Sequence, residues 1–154
     1  GSNAKMNPPL REKTDIDKIL AGLKDDTIKV ICTDHAPHTS AEKAKGISNA
    51  PFGIVGLESC IGLSYTYLVE KGIISFESLI KKMSDNPRRI LNLPRISVGI
   101  GEKANLTILE TNLDWIIDTN KFKSKSKNSP FNGFKVKCKP FGIYNNSKFF
   151  KSQL

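Results

Sequence analysis

At 154 residues with a net charge of +9, the chain is long enough for one domain that buries about two-thirds of its unfolded surface, provided it is a complete folding unit. No apolar run approaches the ~20 residues of a membrane-spanning helix and no charged-then-apolar leader opens the chain, so a soluble cytoplasmic protein without membrane contacts is expected. Cys32, Cys60 and Cys138 are odd in number, far apart and set among apolar residues, which suits reduced, buried thiols better than a disulfide framework or a zinc finger.

Gly1-Ser2-Asn3-Ala4 reads as a remnant of tag removal and is set aside. Asn7-Pro8-Pro9-Leu10-Arg11 is a loop, because consecutive prolines remove donors and push the preceding residue toward extended geometry. Thr14 can cap a helix whose apolar positions Ile16, Ile19, Leu20 and Leu23 follow helical spacing until Asp25-Asp26 ends it. Residues 28–33 form a β-branched run of the kind buried in a parallel sheet, which puts Asp34 at that strand's C-terminal end.

Residues 33–56 are broken by prolines and glycines and read as a long loop, and such loops in compact domains are usually functional or disordered. Helices are expected over 57–69, 76–83 and 87–91, with Ser75 and Asn86 as N-caps, Pro87 in the first helical position and Gly72 as a C-terminal stop. After Pro94 the period becomes that of strands. Residues 105–110 alternate, 115–117 are short and apolar, and 142–144 precede 148–150 with Asn145-Asn146 as the turn between them. The fold is therefore expected to be α/β to about residue 98 and all-β beyond, with a polar loop over 121–132.

The charge is uneven. Residues 1–99 carry 14 basic and 11 acidic side chains, and residues 100–154 carry 10 and 4, with Lys121, Lys123, Lys125, Lys127, Lys135, Lys137 and Lys139 concentrated there. A basic stretch can mark an RNA-binding module. These lysines alternate with Ser, Asn and single apolar residues, however, and aromatic interleaving for base stacking is poor. The wet face of strands, with lysines guarding an exposed edge, is the favoured reading, and no nucleic-acid partner is expected.

Thr33-Asp34-His35-Ala36-Pro37-His38 places a carboxylate and two imidazoles at the end of the expected buried strand, the end where α/β barrels build active sites. Taken alone, the hexapeptide equally suits a loop that Asp34 caps and whose histidines hydrogen-bond backbone. It has company: Asn7-Pro8-Pro9-Leu10-Arg11, Ala50-Pro51-Phe52-Gly53-Ile54, Gly56-Leu57-Glu58, Asn86-Pro87, residues 101–106 and Ser124-Lys125-Ser126-Lys127-Asn128-Ser129-Pro130-Phe131-Asn132-Gly133. With these segments in this order, the chain resembles the C-terminal part of class I dihydroorotases, cyclic amidohydrolases of the amidohydrolase superfamily, from Lys5 to near its end.

The resemblance implies that residues 5–98 are the last part of a (β/α)8 metal-dependent hydrolase barrel and 99–154 the C-terminal strands of a flanking β-sandwich. It implies a protein that interconverts dihydroorotate and N-carbamoyl-aspartate in pyrimidine synthesis with two zinc ions. Asp34 would contact one zinc and shuttle the proton, Asn7 and His38 would bind substrate, and backbone groups of Phe52 and Gly53 would orient the ring. His35 is assigned to structure, Arg11 to pairing with a local acid and Glu58 to capping or bracing its helix. Because only His35 and His38 occur in the chain, the remaining family ligands are absent, and this stretch alone is expected to bind no stoichiometric zinc and to be inactive. Hydantoinase-like or allantoinase-like enzymes and a noncatalytic amidohydrolase-like subunit are the alternatives. A homo-oligomer is expected, since a partial barrel leaves unpaired edges and apolar faces.

Overall fold

The first regular helix, α1 (Lys13–Lys24), starts two residues earlier than the Thr14 cap would place it, behind Glu12, whose carbonyl accepts from the Asp15 and Ile16 N–H groups. This computed structural model describes all residues 1–154. Asp25 closes α1, and Asp26 turns the chain with φ 67°. Residues 28–33, expected as a strand, form none, because no neighbouring strand lies beside them to complete a ladder. Their ties run instead to the helical layer: the Ile31 N–H donates to Lys82 O at 3.1 Å and Asn86 Nδ2 to Lys29 O at 2.8 Å. One face of the segment has no layer over it, which leaves Cys32 exposed, against the expectation of a buried thiol; Cys60 is half-buried and Cys138 buried, and all three are free.

The long loop carries two single-turn helices, α2 (Ser40–Lys43), closed by a capping box between Thr39 and Glu42, and α3 (Gly46–Asn49). Next comes α4 (Cys60–Ser64), which continues into a π turn at Tyr65–Val69 and stops at Gly72 with φ 67°. Ser75 caps α5 (Phe76–Ile80) as expected, its hydroxyl accepting from the Ser78 N–H at 3.1 Å. The expected break before Pro87 is absent. A π turn at Lys81–Asp85 leads directly into α6 (Asn86–Ile90), and its wider repeat accommodates a residue that cannot donate. Asn86 is therefore no N-cap; its amide goes to Lys29 O and its carbonyl oxygen to Arg89.

The rest is a three-stranded antiparallel sheet in the order β1 (Leu106–Ile116), β2 (Lys135–Asn145), β3 (Lys148–Lys151). The alternating segment 105–110 and the short apolar run 115–117, expected as separate, belong to one strand with a bulge: pairing passes from Glu110↔Lys139 to Asp114↔Lys137, so three residues of β1 face only Cys138, itself at φ 66°. The β2–β3 turn is Asn146-Ser147, one residue later than expected, and both residues have positive φ (49° and 60°), as a two-residue hairpin of right-handed twist requires. Lys135, Lys137 and Lys139 thus lie on the middle strand, where Lys135 pairs with Asp114 at 2.8 Å and Lys137 with Glu70 at 2.7 Å. No helix is long and apolar enough to cross a membrane.

The helix running from α4 through its π turn joins the two halves. Ile61, Tyr65, Leu68 and Val69 pack on Leu23, Ile74 and Leu79, while Leu63 packs with Trp115 on Val55, Ile117, Phe122 and Val136. Gly62 makes the close approach: a Cβ there would lie 2.9 Å from Trp115 Cζ2 and 3.0 Å from Val136 Cγ2. Only 19 of 154 residues are buried, and the accessible surface is 10,320 Å². A compact chain of this mass exposes about 7,700 Å², so roughly 2,600 Å² is surplus. Much of it is apolar, including Leu10, Leu57, Ile90, Leu91, Val98 and Ile100.

Gly62→Val should therefore destabilise the protein by about 1–3 kcal/mol through overpacking, read as a lower denaturant midpoint. A second expectation concerns acid. Hydrogen bonds from Lys29 and then Lys82 hold the Asp26 carboxyl down to about 2, whereas in the unfolded chain it titrates near ~3.9. The stability this linkage supplies is present above pH ~4 and is lost as the pH falls toward ~2. Asp26→Asn should flatten that part of the stability–pH profile, and an unchanged profile would contradict the assignment.

Candidate functional site

Asp34 lies in left-handed backbone geometry (φ 43°), exposed and without a hydrogen bond or ion pair. The residue after it is fixed firmly. His35 forms a parallel bridge with Ile54, and the next N–H, that of Ala36, donates to Ile54 O at 2.8 Å. The His35 Nδ1 accepts from the N–H groups of Gly56 and Leu57 at 3.1 and 3.4 Å, which places the ring proton on Nε2, 3.3 Å from Ser124 Oγ. Ser124 N–H in turn donates to Glu58 Oε1 at 2.7 Å. Burial pushes the Glu58 carboxyl up, but the hydrogen bonds from Ser124 and from its own backbone, with nearby His35, together outweigh it and leave its pKa lowered. Its Oε2 and the neighbouring Ser59 Oγ are buried without a partner.

His38 is held at both ends. Its Nε2 lies 2.8 Å from Phe52 O, which as a carbonyl can only accept, so the proton is on Nε2 and Nδ1 keeps a free lone pair. Its backbone N–H donates to Asn128 Oδ1 at 3.1 Å. Beside it Gly53 is buried with φ 126°, and a Cβ there would lie 2.5 Å from Ala36 Cβ and 3.1 Å from His38 Nε2. Both polar groups of Gly53 are spent inside the chain: its N–H on Lys5 O at 3.0 Å, its carbonyl on Lys43 Nζ at 3.0 Å and Asn128 Nδ2 at 3.2 Å. Lys43 is buried with only carbonyls around its ammonium, those of Gly53, Pro51 and Lys5; burial lowers its pKa, and the nearby Lys5 charge adds to this. Lys5 itself donates to Ser48 O and stands 4.6 Å over the Phe52 ring.

Of the residues singled out in the sequence, the structure brings His38, Phe52 and Gly53 into contact, with Lys5, two positions before Asn7, tied to the same cluster. Asn7 and Asp34 are exposed and make no side-chain hydrogen bond. Within this chain the Gly53 N–H and both carbonyl lone pairs are engaged, so what the structure shows of Gly53 is a close steric approach. The Phe52 N–H, in contrast, finds no acceptor in the chain. Glu58 does not brace its own helix but holds Ser124 across 66 positions, and Arg11 pairs with no acid. Lys43, Ser124 and Asn128 carry the cluster, and the sequence assigns them no role: local composition places all three in polar segments, although Asn128 and Lys43 are buried in the structure.

The donor set does not fit a metal pair. No three His, Cys, Asp or Glu side chains converge anywhere in the chain, and Asp34 has no second ligand beside it.

No family model matches the chain. A dihydroorotase from Chlorobaculum tepidum is 48% identical over 143 residues, which make up 93% of this chain and 33% of that protein. A dihydroorotase from Acetivibrio thermocellus is 46% identical over 133 residues, 86% of this chain and 31% of the other. By sequence, the chain belongs with the dihydroorotases. It spans about a third of the length of these dihydroorotase relatives. Among solved structures, the L-hydantoinase (dihydropyrimidinase) of Arthrobacter aurescens superposes with a TM-score of 0.90 at 27% identity, over 99% of this chain and 35% of that one. The dihydropyrimidinase of Brevibacillus agri, at 18% identity and a TM-score of 0.87 over 99% of this chain and 34% of its own, shares the fold.

Gly53→Ala should be the most damaging small change in the cluster. It forces a side chain into a backbone region that alanine avoids and drives it into Ala36, with an expected loss of at least about 2 kcal/mol in a denaturant titration. A stability within a few tenths of the parent would contradict the close packing described here.

Proposed function

We propose that this chain is the C-terminal segment of a dihydroorotase, a longer polypeptide that interconverts dihydroorotate and N-carbamoyl-aspartate. In this reading residues 5–98 supply the last part of a (β/α)8 barrel and residues 99–154 strands of the flanking β-sandwich. The observation that carries it is the contrast in identity: 45–48% to dihydroorotases, against 18–27% to the hydantoinases and dihydropyrimidinases whose fold it shares. The surplus surface supports it as well, since a chain exposing Leu57, Ile90, Leu91 and Val98 needs further protein over them. Apolar area that the remaining polypeptide leaves uncovered would drive self-association, which keeps a homo-oligomer within the proposal.

The chemistry open to the chain's own residues follows from which groups are free. Opening a cyclic amide with water requires a base that takes the proton of the attacking oxygen and delivers it to the leaving nitrogen. Asp34 suits that role, being an exposed carboxylate with no competing donor, followed at once by the fixed His35. The free Nδ1 of His38 can accept from a substrate N–H, the free Phe52 N–H can donate to a substrate oxygen, and the Asn7 amide can do either. The zinc ions of the family would have to be held mainly by residues outside this chain, which on this reading binds none stoichiometrically. The hydantoinase reading rests on fold similarity with at most 27% identity among the structures compared. The RNA-binding reading loses weight because Lys135 and Lys137 are taken up by Asp114 and Glu70, and Lys127 by the Phe122 and Ser124 carbonyls.

In the full-length protein, Asp34→Asn should lower kcat by about two orders of magnitude or more with little change in KM, as loss of a proton carrier does. His38→Ala should act mainly on KM. Near-normal turnover of the Asp34 variant at pH 7 would refute the assigned role.

A further inference from the structure

We infer that Asn128 is a positioning residue for His38, so that the loop 122–129, which enters from the sheet half of the chain, is part of the site. The inference rests on the proposal above that His38 contacts substrate. Asn128 is 4% exposed, and its amide is fully used across long sequence separations: Oδ1 accepts from the His38 N–H at 3.1 Å, and Nδ2 donates to Ala36 O at 3.1 Å and Gly53 O at 3.2 Å. Its backbone carbonyl accepts from the Val55 N–H at 3.0 Å. The amide orientation follows from the partners, because a flipped group would set its oxygen against two carbonyls and its NH₂ against an N–H.

The geometry makes Asn128 a spacer between two fixed points. One end holds the main chain of His38; the other holds the carbonyl of Gly53, and the peptide joining Gly53 to Phe52 carries the Phe52 oxygen that receives the His38 ring at 2.8 Å. Ring and backbone of His38 are therefore both referred to one buried amide, and the direction of the free Nδ1 depends on it. The same loop reaches the neighbour of Asp34 at its other end, where Ser124 Oγ meets His35 Nε2. A buried amide that only filled space in the core would not need to span these points.

The test uses the full-length protein and a double-mutant cycle of Asn128→Ala with His38→Ala, read as kcat and KM for dihydroorotate alongside thermal melts. Asn128→Ala is expected to raise KM about tenfold, the order of one lost buried hydrogen bond, with kcat changed far less. The double variant is expected to be no worse in KM than His38→Ala alone. An unchanged KM in folded Asn128→Ala, or effects that multiply, would overturn the inference. If Asn128→Ala does not fold, amide hydrogen exchange in the parent protein decides: the His38 and Val55 N–H groups, both held by Asn128, should show matching protection. A His38 amide exchanging more than about a hundredfold faster than that of Val55 would overturn it. If the parent itself fails to turn over dihydroorotate, the functional reading falls, and the exchange comparison still tests the clasp.

Discussion

One buried carbonyl, that of Gly53, organises the candidate site. Asn128 and Lys43 donate to it from opposite sides in sequence, and Lys5 accepts the N–H of the same residue. Buried polar groups are expensive to leave unpaired, so a fully satisfied cluster of this kind specifies one arrangement of the segments that meet there. Four stretches meet at it: the N-terminal loop, the Asp34–His38 turn with α2, the 50–55 segment and the 122–129 loop. Gly53 must be glycine because the close approach of Ala36 leaves no room for a Cβ. The free groups that face outward, Asp34, His38 Nδ1 and the Phe52 N–H, are placed by contacts that lie behind them.

That cluster is coupled to the rest of the fold through Val55, which is buried with Ile117, Phe122 and Val136. The sheet half therefore does more than flank the helical half. Its loop supplies Ser124 and Asn128, and its strand β2 is fastened to the helix by the Lys137 N–H on Thr66 Oγ1 at 2.8 Å and by the ion pair to Glu70. Gly62 lets the helix come close enough for both. A displacement of the sheet relative to the helix would be felt at His35 and His38 through these links.

Much of this was legible in the sequence where the signal is local. Helical spacing located α1 and α5, the Ser75 cap and the Gly72 stop were readable from side-chain and backbone chemistry, and the change of period after Pro94 marked the sheet. What failed depends on neighbours distant in the chain. Residues 28–33 have strand composition but no strand to pair with, and Cys32 is exposed for the same reason. The bulge opposite Cys138 splits one strand into two apparent runs, and a π turn carries the helix through Pro87 where capping rules predict a break. At the site, the motif residues His38, Phe52 and Gly53 stood out, yet the groups that hold them did not. Asn128 and Lys43 act across tens of positions, and in one dimension an asparagine in a polar loop or a lysine in a helical turn looks like a solvated side chain.

The dihydroorotase proposal is tested most directly by substrate preference in the full-length polypeptide. The same groups on the same fold could serve a hydantoinase, and the identity to dihydroorotases is what separates the two. Ring opening should be measured side by side for dihydroorotate and for dihydrouracil, which lacks the carboxylate. The account predicts a kcat/KM for dihydroorotate higher by about two orders of magnitude or more, the scale expected when a charged group of the substrate is recognised. Equal values, or a preference for dihydrouracil, would contradict it.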